Sequence, residues 1–574
     1  MDLQRSLLIG AIAVLSFMLL TEWVAFRGAR TADATAETSR LTSHTQQSAA
    51  VAGADSDETT VSGASEDLPV ITPDKATVDD SVPAMDETLS TSAEREHIVV
   101  VATDVLQFAI DLRGGDIVEL ALPKFLQKLD KSSDPFVLLE QNNNRTYIAQ
   151  SGLIGADGID KDGRALFRAV APRYEMQADK QALVVDLHWQ NDAGVVITKR
   201  FTLQRGAYVI DIDYLVENRS ATRWQANLFG QIKRDSLPPP AVDTSGLGMK
   251  PFLGIAITQP DERFTKFTFS DIAEEPFRAK LPGGWIAMIQ HYFLSAWIPN
   301  PELSHTYSAR VTRSGFNIAG FTSPALALDP GQSGQTGARF YAGPKDQYSL
   351  EKISPYLDLS VDYGWLWWIA QPLFWLLTKI HALVGNWGVA IILLTVLIKA
   401  AFFKLSATSY RSMANMRRVQ PKMQDIREQY ADDKQKQSQA MMDLYRKEKI
   451  NPMGGCLPVL VQMPVFIALY WVLMESVELR HSPFIFWIRD LSVMDPYFVL
   501  PLLMGASMWF MQKLNPPPPD PMQAKIMQWL PVMFTFFFLW FPAGLVLYWV
   551  VNNLLSMAQQ YVITRQIESA AAKT

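Results

Sequence analysis

The chain has 574 residues, 48% of them hydrophobic, with 52 Lys and Arg against 58 Asp and Glu. That length allows several domains, and a net charge of −6 excludes a generally basic nucleic-acid binder. A single cysteine, Cys456, excludes an internal disulfide and any multi-thiol metal or redox centre, so a domain outside the cytoplasm must stand on its core alone.

Residues 1–27 hold an apolar run behind Arg5, which suits a signal peptide or a retained anchor. The Ala32-Asp33-Ala34 triplet lies beyond Arg27 and Arg30, too far from the apolar run for normal cleavage, and favours a retained transmembrane anchor. Residues 28–95 contain no aromatic residue and cannot bury enough apolar surface to offset chain entropy, so they are expected to form a disordered linker. From 96 to 350 the pattern turns to period-two alternation, as in "HIVVVATDVLQFAIDL", "ALVVDLHW" and "AYVIDIDYLV", with a turn signal at Arg113-Gly114-Gly115-Asp116. This predicts a large antiparallel β-sandwich lying wholly on one side of a membrane. Such a sandwich could bind sugar, peptide or nothing, and without clustered carboxylates or histidines it reads as a folded platform.

Residues 364–385 carry Trp365, Trp367, Trp368 and Trp375 with Gln371, Lys379 and His381 among them, the pattern of a helix lying in the membrane interface. Transmembrane spans are expected at 388–404, 457–476, 497–512, 528–541 and 545–562, and a short tail at 563–574. Between the first two of these, 405–453 reads as a polar helical hairpin broken at Ala431-Asp432-Asp433, where either Asp can cap the second helix. Its basic residues outnumber its acidic ones, which puts it in the cytoplasm. Six spans follow, with both termini cytoplasmic and the β domain outside. The fold class is a multi-domain membrane protein: a polytopic α-helical bundle of five spans plus an N-terminal anchor, bearing a large antiparallel β domain.

The stretch "GVAIILLTVLIKAAFFKLS" sets Lys399 among apolar residues. A cation at a helix centre costs ~2.5–3.5 kcal/mol on insertion scales. Lys399 can escape by snorkelling to the cytoplasmic headgroups, or it can face water. The apolar runs of the five spans contain no acid to pair it, and Glu475 and Glu478 lie at the opposite, outer end. Tyr548, Asn552, Ser556 and Gln559 share one face of the last span, with Asn553 and Gln560 beside them. Thr395 and Ser406 flank Lys399, Gln462 pairs with Tyr470, and Thr535 adds a hydroxyl. One such stripe can be plain interhelical hydrogen bonding. Several stripes around a lone cation point to a hydrophilic cavity open toward the cytoplasm.

No phosphate-binding Gly-x-x-x-x-Gly-Lys-Ser/Thr loop, His-Glu-x-x-His motif or intramembrane Ser/His or Asp/Asp set occurs, so no cofactor, metal or catalytic residue is expected. The competing class is an anion-selective channel or transporter with Lys399 as its ion site. It calls for a pore open at both faces and for internal repeats, which are not seen.

"NPMGGCLPVLVQMPVFIALYWVL", "DPMQAKIMQWLPVMFTFFFLWFPAGLVLYWVVNNL" and the basic hairpin resemble the YidC-type membrane protein insertases of the YidC/Oxa/Alb family over about residues 350–565. The resemblance extends to the first helix, large periplasmic domain and interfacial helix of Gram-negative members. It implies an inner-membrane insertase and chaperone that takes nascent membrane proteins from ribosomes, alone or with the Sec translocon (SecYEG, SecDF), in contact with membrane lipids. It also implies a β supersandwich and a groove open to cytoplasm and lipid. Lys399 falls at the family's groove cation, Thr395 at a groove hydroxyl, Tyr548 and Trp549 at an aromatic pair, and Gln462 in the Gln-Met-Pro motif. Asn552, Ser556 and Thr535 complete the expected groove. Met413, Arg417, Arg418, Met423, Met441 and Met442 are the hairpin residues expected to receive the incoming chain or a partner. Two departures stand out: Lys replaces the usual Arg and so lacks its bidentate fork, and the tail after Arg565 is short and weakly basic, which weakens the case for tail-mediated ribosome binding.

Overall fold

The computed structural model describes residues 67–69, 97–129, 133–239, 251–431, 433–448, 457–514 and 521–571. The expected anchor at 1–27, nearly all of the 28–95 linker and Cys456 lie outside them.

The β domain is built from a ten-stranded and a nine-stranded sheet. In the first, Trp224–Arg234 pairs antiparallel with Asn317–Leu328 on one side and Thr146–Ile154 on the other. In the second, Val209–Asn218 lies between Val195–Gln204 and Ser333–Pro344. Val195–Gln204 and Val209–Asn218 bury every second residue, the signature of strands with one face inward. One pairing departs from the antiparallel rule: Ile98–Ala102 runs parallel to Arg173–Glu175. A single apolar core draws on both sheets, with Leu228, Ile232 and Phe321 from the first and Phe201, Ile212 and Phe340 from the second.

Charge is buried within this domain. Lys199, fully buried, donates from Nζ to the carbonyls of Gly114 (3.0 Å), Gly115 (2.8 Å) and Ser151 (3.1 Å). Gly114 and Gly115 have φ of +80° and +64°, which brings two successive carbonyls to one ammonium and which only glycine adopts freely. Arg164 pairs with Asp116 and, at 3.0 Å, with Asp160.

Trp367–Val384 is an amphipathic helix: Ala370, Phe374 and Leu377 are buried, while Trp367, Trp368 and Trp375 are exposed. Trp387–Ala401 follows, capped by Asn386, whose Oδ1 accepts from Val389 N at 3.0 Å. At Phe402 the chain breaks and re-enters a helix, Phe403–Gln429, whose first part, Phe403–Met416, is bent by 67° from Trp387–Ala401. The remaining long helices are Leu457–Glu475, Val499–Leu514, Pro521–Phe537 and Ala543–Ala571. The last runs well past the expected span end at 562. Among the described residues no single helix is long and apolar enough to cross a membrane; Trp387–Ala401 and Phe403–Met416 reach that length only together.

The β domain and the helices share a second core that runs from Leu294 and Tyr341 in the sheet to Leu377, Ile391, Leu469 and Tyr548. Polar ties reinforce it. Lys345 Nζ lies 2.6 Å from Glu475 Oε2, with both side chains nearly inaccessible. His291 Nε2 meets the Met474 carbonyl at 2.8 Å, and Arg480 Nη2 donates to the Leu126 carbonyl at 2.7 Å.

Residues 415–451 belong to a separate compact unit. Its two helices meet through Val419, Met423 and Leu444, with Met416, Ile426, Met441 and Tyr445 packed around them. Asp433 caps the second helix, Lys434–Lys447, accepting from Gln435 N and Lys436 N.

Candidate functional site

Lys399 sits three residues before the break at Phe402, half-buried on the wall of a cavity of about 210 Å³. Its Nζ donates to Ser556 Oγ at 2.7 Å and to Gln462 Oε1 at 3.3 Å. Gln462 Nε2 in turn donates to Asn552 Oδ1, and Ser556 Oγ donates to the Asn552 carbonyl at 2.7 Å. A ring of three neutral residues from two helices thus holds one ammonium. Among the described residues no carboxylate lies within ion-pair distance of it. An ammonium has three donors, and this ring takes two.

The rest of the lining is soft and aromatic. Met413, Met463, Met508 and Met511 contribute thioethers, and Phe466 meets Trp549 edge-on at 4.4 Å. Tyr548, 1% exposed, also lines the cavity. A space of this size has room for water, and the ring supplies the polar partners water needs.

The expected residues divide in the structure. Lys399, Gln462, Tyr548, Trp549, Asn552 and Ser556 converge on the cavity. Thr395 and Thr535 do not line it: their hydroxyls bond back to the Ile391 and Pro531 carbonyls, each at 2.7 Å and four residues earlier in its own helix. Gln559 reaches the Phe403 carbonyl instead, whereas Asn553 and Gln560 are in the wall.

Met413, expected in the hairpin, lines the cavity. With Ser406, Ser409 and Tyr410 it forms one face of the helix just after the break. That face was readable from the spacing of three, one and three residues, but the polarity of the segment directed it to the hairpin. Of the other hairpin residues, Met423 and Met441 are taken up by the hairpin's own core, while Met442 and Arg418 are exposed, Arg418 lying 3.8 Å from Glu448. The Arg417 side chain lies outside the described residues.

Residues 98–376 match the family described as YidC periplasmic domain, and residues 379–570 match the 60Kd inner membrane protein family. Proteins named "Membrane protein insertase YidC" from Stutzerimonas stutzeri and Cellvibrio japonicus are each 52% identical to the chain, over the whole of both sequences. The protein of the same name from Pseudomonas aeruginosa strain PAO1 is 49% identical, again over the full length of both.

Proposed function

The chain belongs to the YidC family of bacterial inner-membrane protein insertases, and from that premise we propose that its Lys399 cavity is the groove through which the polar ends of nascent membrane proteins pass. Insertion of this kind is a physical transfer, and no bond is made or broken.

The observation that carries the reading is the bonding of Lys399 to neutral partners alone. An acidic side chain entering hydrocarbon faces a penalty of ~2.5–3.5 kcal/mol. An ammonium at ~4 Å supplies about 4 kcal/mol of attraction at an effective dielectric of ~20, which offsets a penalty of that size. The neutral ring can be exchanged for a substrate carboxylate without stranding a resident acid. The methionine and aromatic walls then receive apolar substrate segments of varied sequence, because thioethers adapt their shape cheaply.

In this reading the chain spans the membrane six times, with 1–27 as the first span, both termini and the 405–453 hairpin in the cytoplasm, and the β domain in the periplasm. The cavity opens to cytoplasm and lipid. The ribosome and the Sec translocon (SecYEG, SecDF) are the partners that deliver or share substrates, and lipids accept the finished helix. Exposed Met442 and Arg418 make the hairpin a first contact for the incoming chain.

Reconstitution in liposomes tests the central point. A single-span substrate with an acidic outer tail, and its neutral-tail counterpart, are offered to the wild type, Lys399→Arg and Lys399→Ala. Lys399→Ala is expected to slow the acidic substrate at least about tenfold, equivalent to ~1.4 kcal/mol, while Lys399→Arg retains insertion. Equal insertion of both substrates by wild type and Lys399→Ala would remove the electrostatic role, and anion flux without insertion would favour a channel.

A further inference from the structure

Part of the chain expected to be a structureless linker is bound to the β domain. Asp67, Leu68 and Pro69 lie against the strand Trp224–Arg234, on the face turned away from the sandwich core. Along that strand Leu228 and Ile232 point into the core, so Phe229, Gln231 and Lys233 point the other way. An outward-facing phenylalanine is ordinarily wet, yet Phe229 is fully buried and Gln231 is 2% exposed.

Leu68 forms a small apolar cluster with Phe229 and Ile154, separate from the main cores. One step along the strand, Gln231 Nε2 donates to the Asp67 carbonyl at 2.7 Å. At the next step, Lys233 Nζ meets the Asp67 carboxylate at 2.6 Å. Arg310, from the strand Ser304–Val311, reaches the carbonyls of both Asp67 and Leu68 at 3.4 Å. The contacts run antiparallel and in step: side chain, main-chain carbonyl and carboxylate of the peptide meet alternate residues of one strand face, whose spacing is ~6.6 Å.

The groups that read the peptide are themselves fixed. The Gln231 amide donates its other proton to Gln150 Oε1 at 3.0 Å, and Gln150 donates to Asp116 at 2.9 Å, within the Arg164 cluster. The Arg164 guanidinium lies 5.4 Å from the centre of the Phe229 ring. Lys233 is also held over the Phe316 ring at 4.5 Å.

We propose that Phe229, Gln231, Lys233 and Arg310 form a peptide-binding site on the outer face of the ten-stranded sheet, specific for an Asp-Leu-Pro segment, and that its resident occupant is the chain's own Asp67–Pro69. Recognition uses one carboxylate, one branched apolar side chain and two main-chain carbonyls. The site is distinct from the Lys399 cavity and does not rest on the function assigned to it.

The test uses the full-length protein in nanodiscs and a fluorescent peptide of residues 65–71, Ser-Glu-Asp-Leu-Pro-Val-Ile. In the wild type the tethered segment competes at about millimolar effective concentration. The Leu68→Asp variant empties the site, so the free peptide should bind it at least about tenfold more tightly than the wild type. Adding Lys233→Glu to Leu68→Asp should abolish that binding. Hydrogen exchange of residues 224–234 shows that the sheet stays folded in each variant, and exchange around residue 68 should rise in Leu68→Asp and in Lys233→Glu. Equal peptide binding by wild type and Leu68→Asp, no binding to a folded Leu68→Asp, or binding indifferent to Lys233→Glu would each overturn the proposal.

Discussion

Replacing Lys345 with alanine should loosen the joint between the β domain and the helices more than any change at an exposed charge. The Lys345–Glu475 pair is 2.6 Å long and its side chains are 3% and 5% exposed, so Glu475 cannot turn to water when its partner is removed. Breaking one side of a buried pair costs about 3–5 kcal/mol, whereas replacing both sides by apolar residues of similar volume is often neutral or stabilising. Lys345→Ala should therefore lower the thermal midpoint of the detergent-solubilised protein by roughly 6–20 °C, at ~2–4 °C per kcal/mol for a unit of this size. The double variant Lys345→Met/Glu475→Met should recover most of that loss. Tryptophan fluorescence is a suitable readout, because buried Trp297 lies in a strand of the nine-stranded sheet, one of whose strands, Ser333–Pro344, ends just before Lys345, and buried Trp285 adjoins another. A shift of less than about 2 °C for Lys345→Ala, or a double variant whose loss equals the sum of the two single losses, would refute the reasoning, since additivity means the two groups do not feel each other.

Three further predictions address other sites. Burial, and then the nearby Lys345 ammonium, push the His291 imidazole down to about 3, so the folded state resists a proton that the unfolded chain accepts near 6.5. Stability contributed by neutral His291 is then complete above pH 6.5 and falls by up to about 1.4 kcal/mol per pH unit below it; His291→Gln should flatten the acid limb of a melting-temperature profile, and an unchanged limb would contradict this. Asp433→Ala removes a cap that holds two backbone amides and should destabilise the second hairpin helix by about 1 kcal/mol, read as roughly fivefold faster hydrogen exchange in Lys434–Lys447. Gln462→Glu would place a carboxylate beside Lys399, where Oε1 now accepts at 3.3 Å; insertion of acidic-tail substrates should fall while neutral-tail substrates pass, and equal effects on both would argue against competition for the cation.

Much of the architecture was legible because its signals are periodic. Two-residue alternation marked strands such as Val209–Asn218, and the spacing of Tyr548, Asn552 and Ser556 marked the polar face of the last helix. What escaped depended on contacts that no local pattern encodes. Thr395 and Thr535 sit on polar stripes, but a hydroxyl in a helix can satisfy itself on the carbonyl four residues back, and both do. The break at Phe402 has no proline or glycine to announce it, so Ser409, Tyr410 and Met413 read as the start of the hairpin rather than as cavity wall, although Ser406 was placed on the polar stripe beside Lys399. Asp67-Leu68-Pro69 was invisible because composition averaged over 28–95 hides three residues whose partners lie far along the chain.

The bend at Phe402 also bears on the lipid. Trp387–Ala401 has 15 residues, about 22 Å at 1.5 Å each, against a hydrocarbon thickness of ~30 Å. Past a 67° bend the next helix advances only ~0.6 Å per residue along the first axis, so continuing the chain closes the shortfall slowly. In the proposed six-span topology the bilayer beside this helix would thin to meet it, at a fraction of a kcal/mol per Å. That deformation would precede any substrate, and an arriving tail would cross a narrower apolar layer than the surrounding membrane offers. Acyl-chain length would then become a control on insertion rate that acts through the shape of one broken helix.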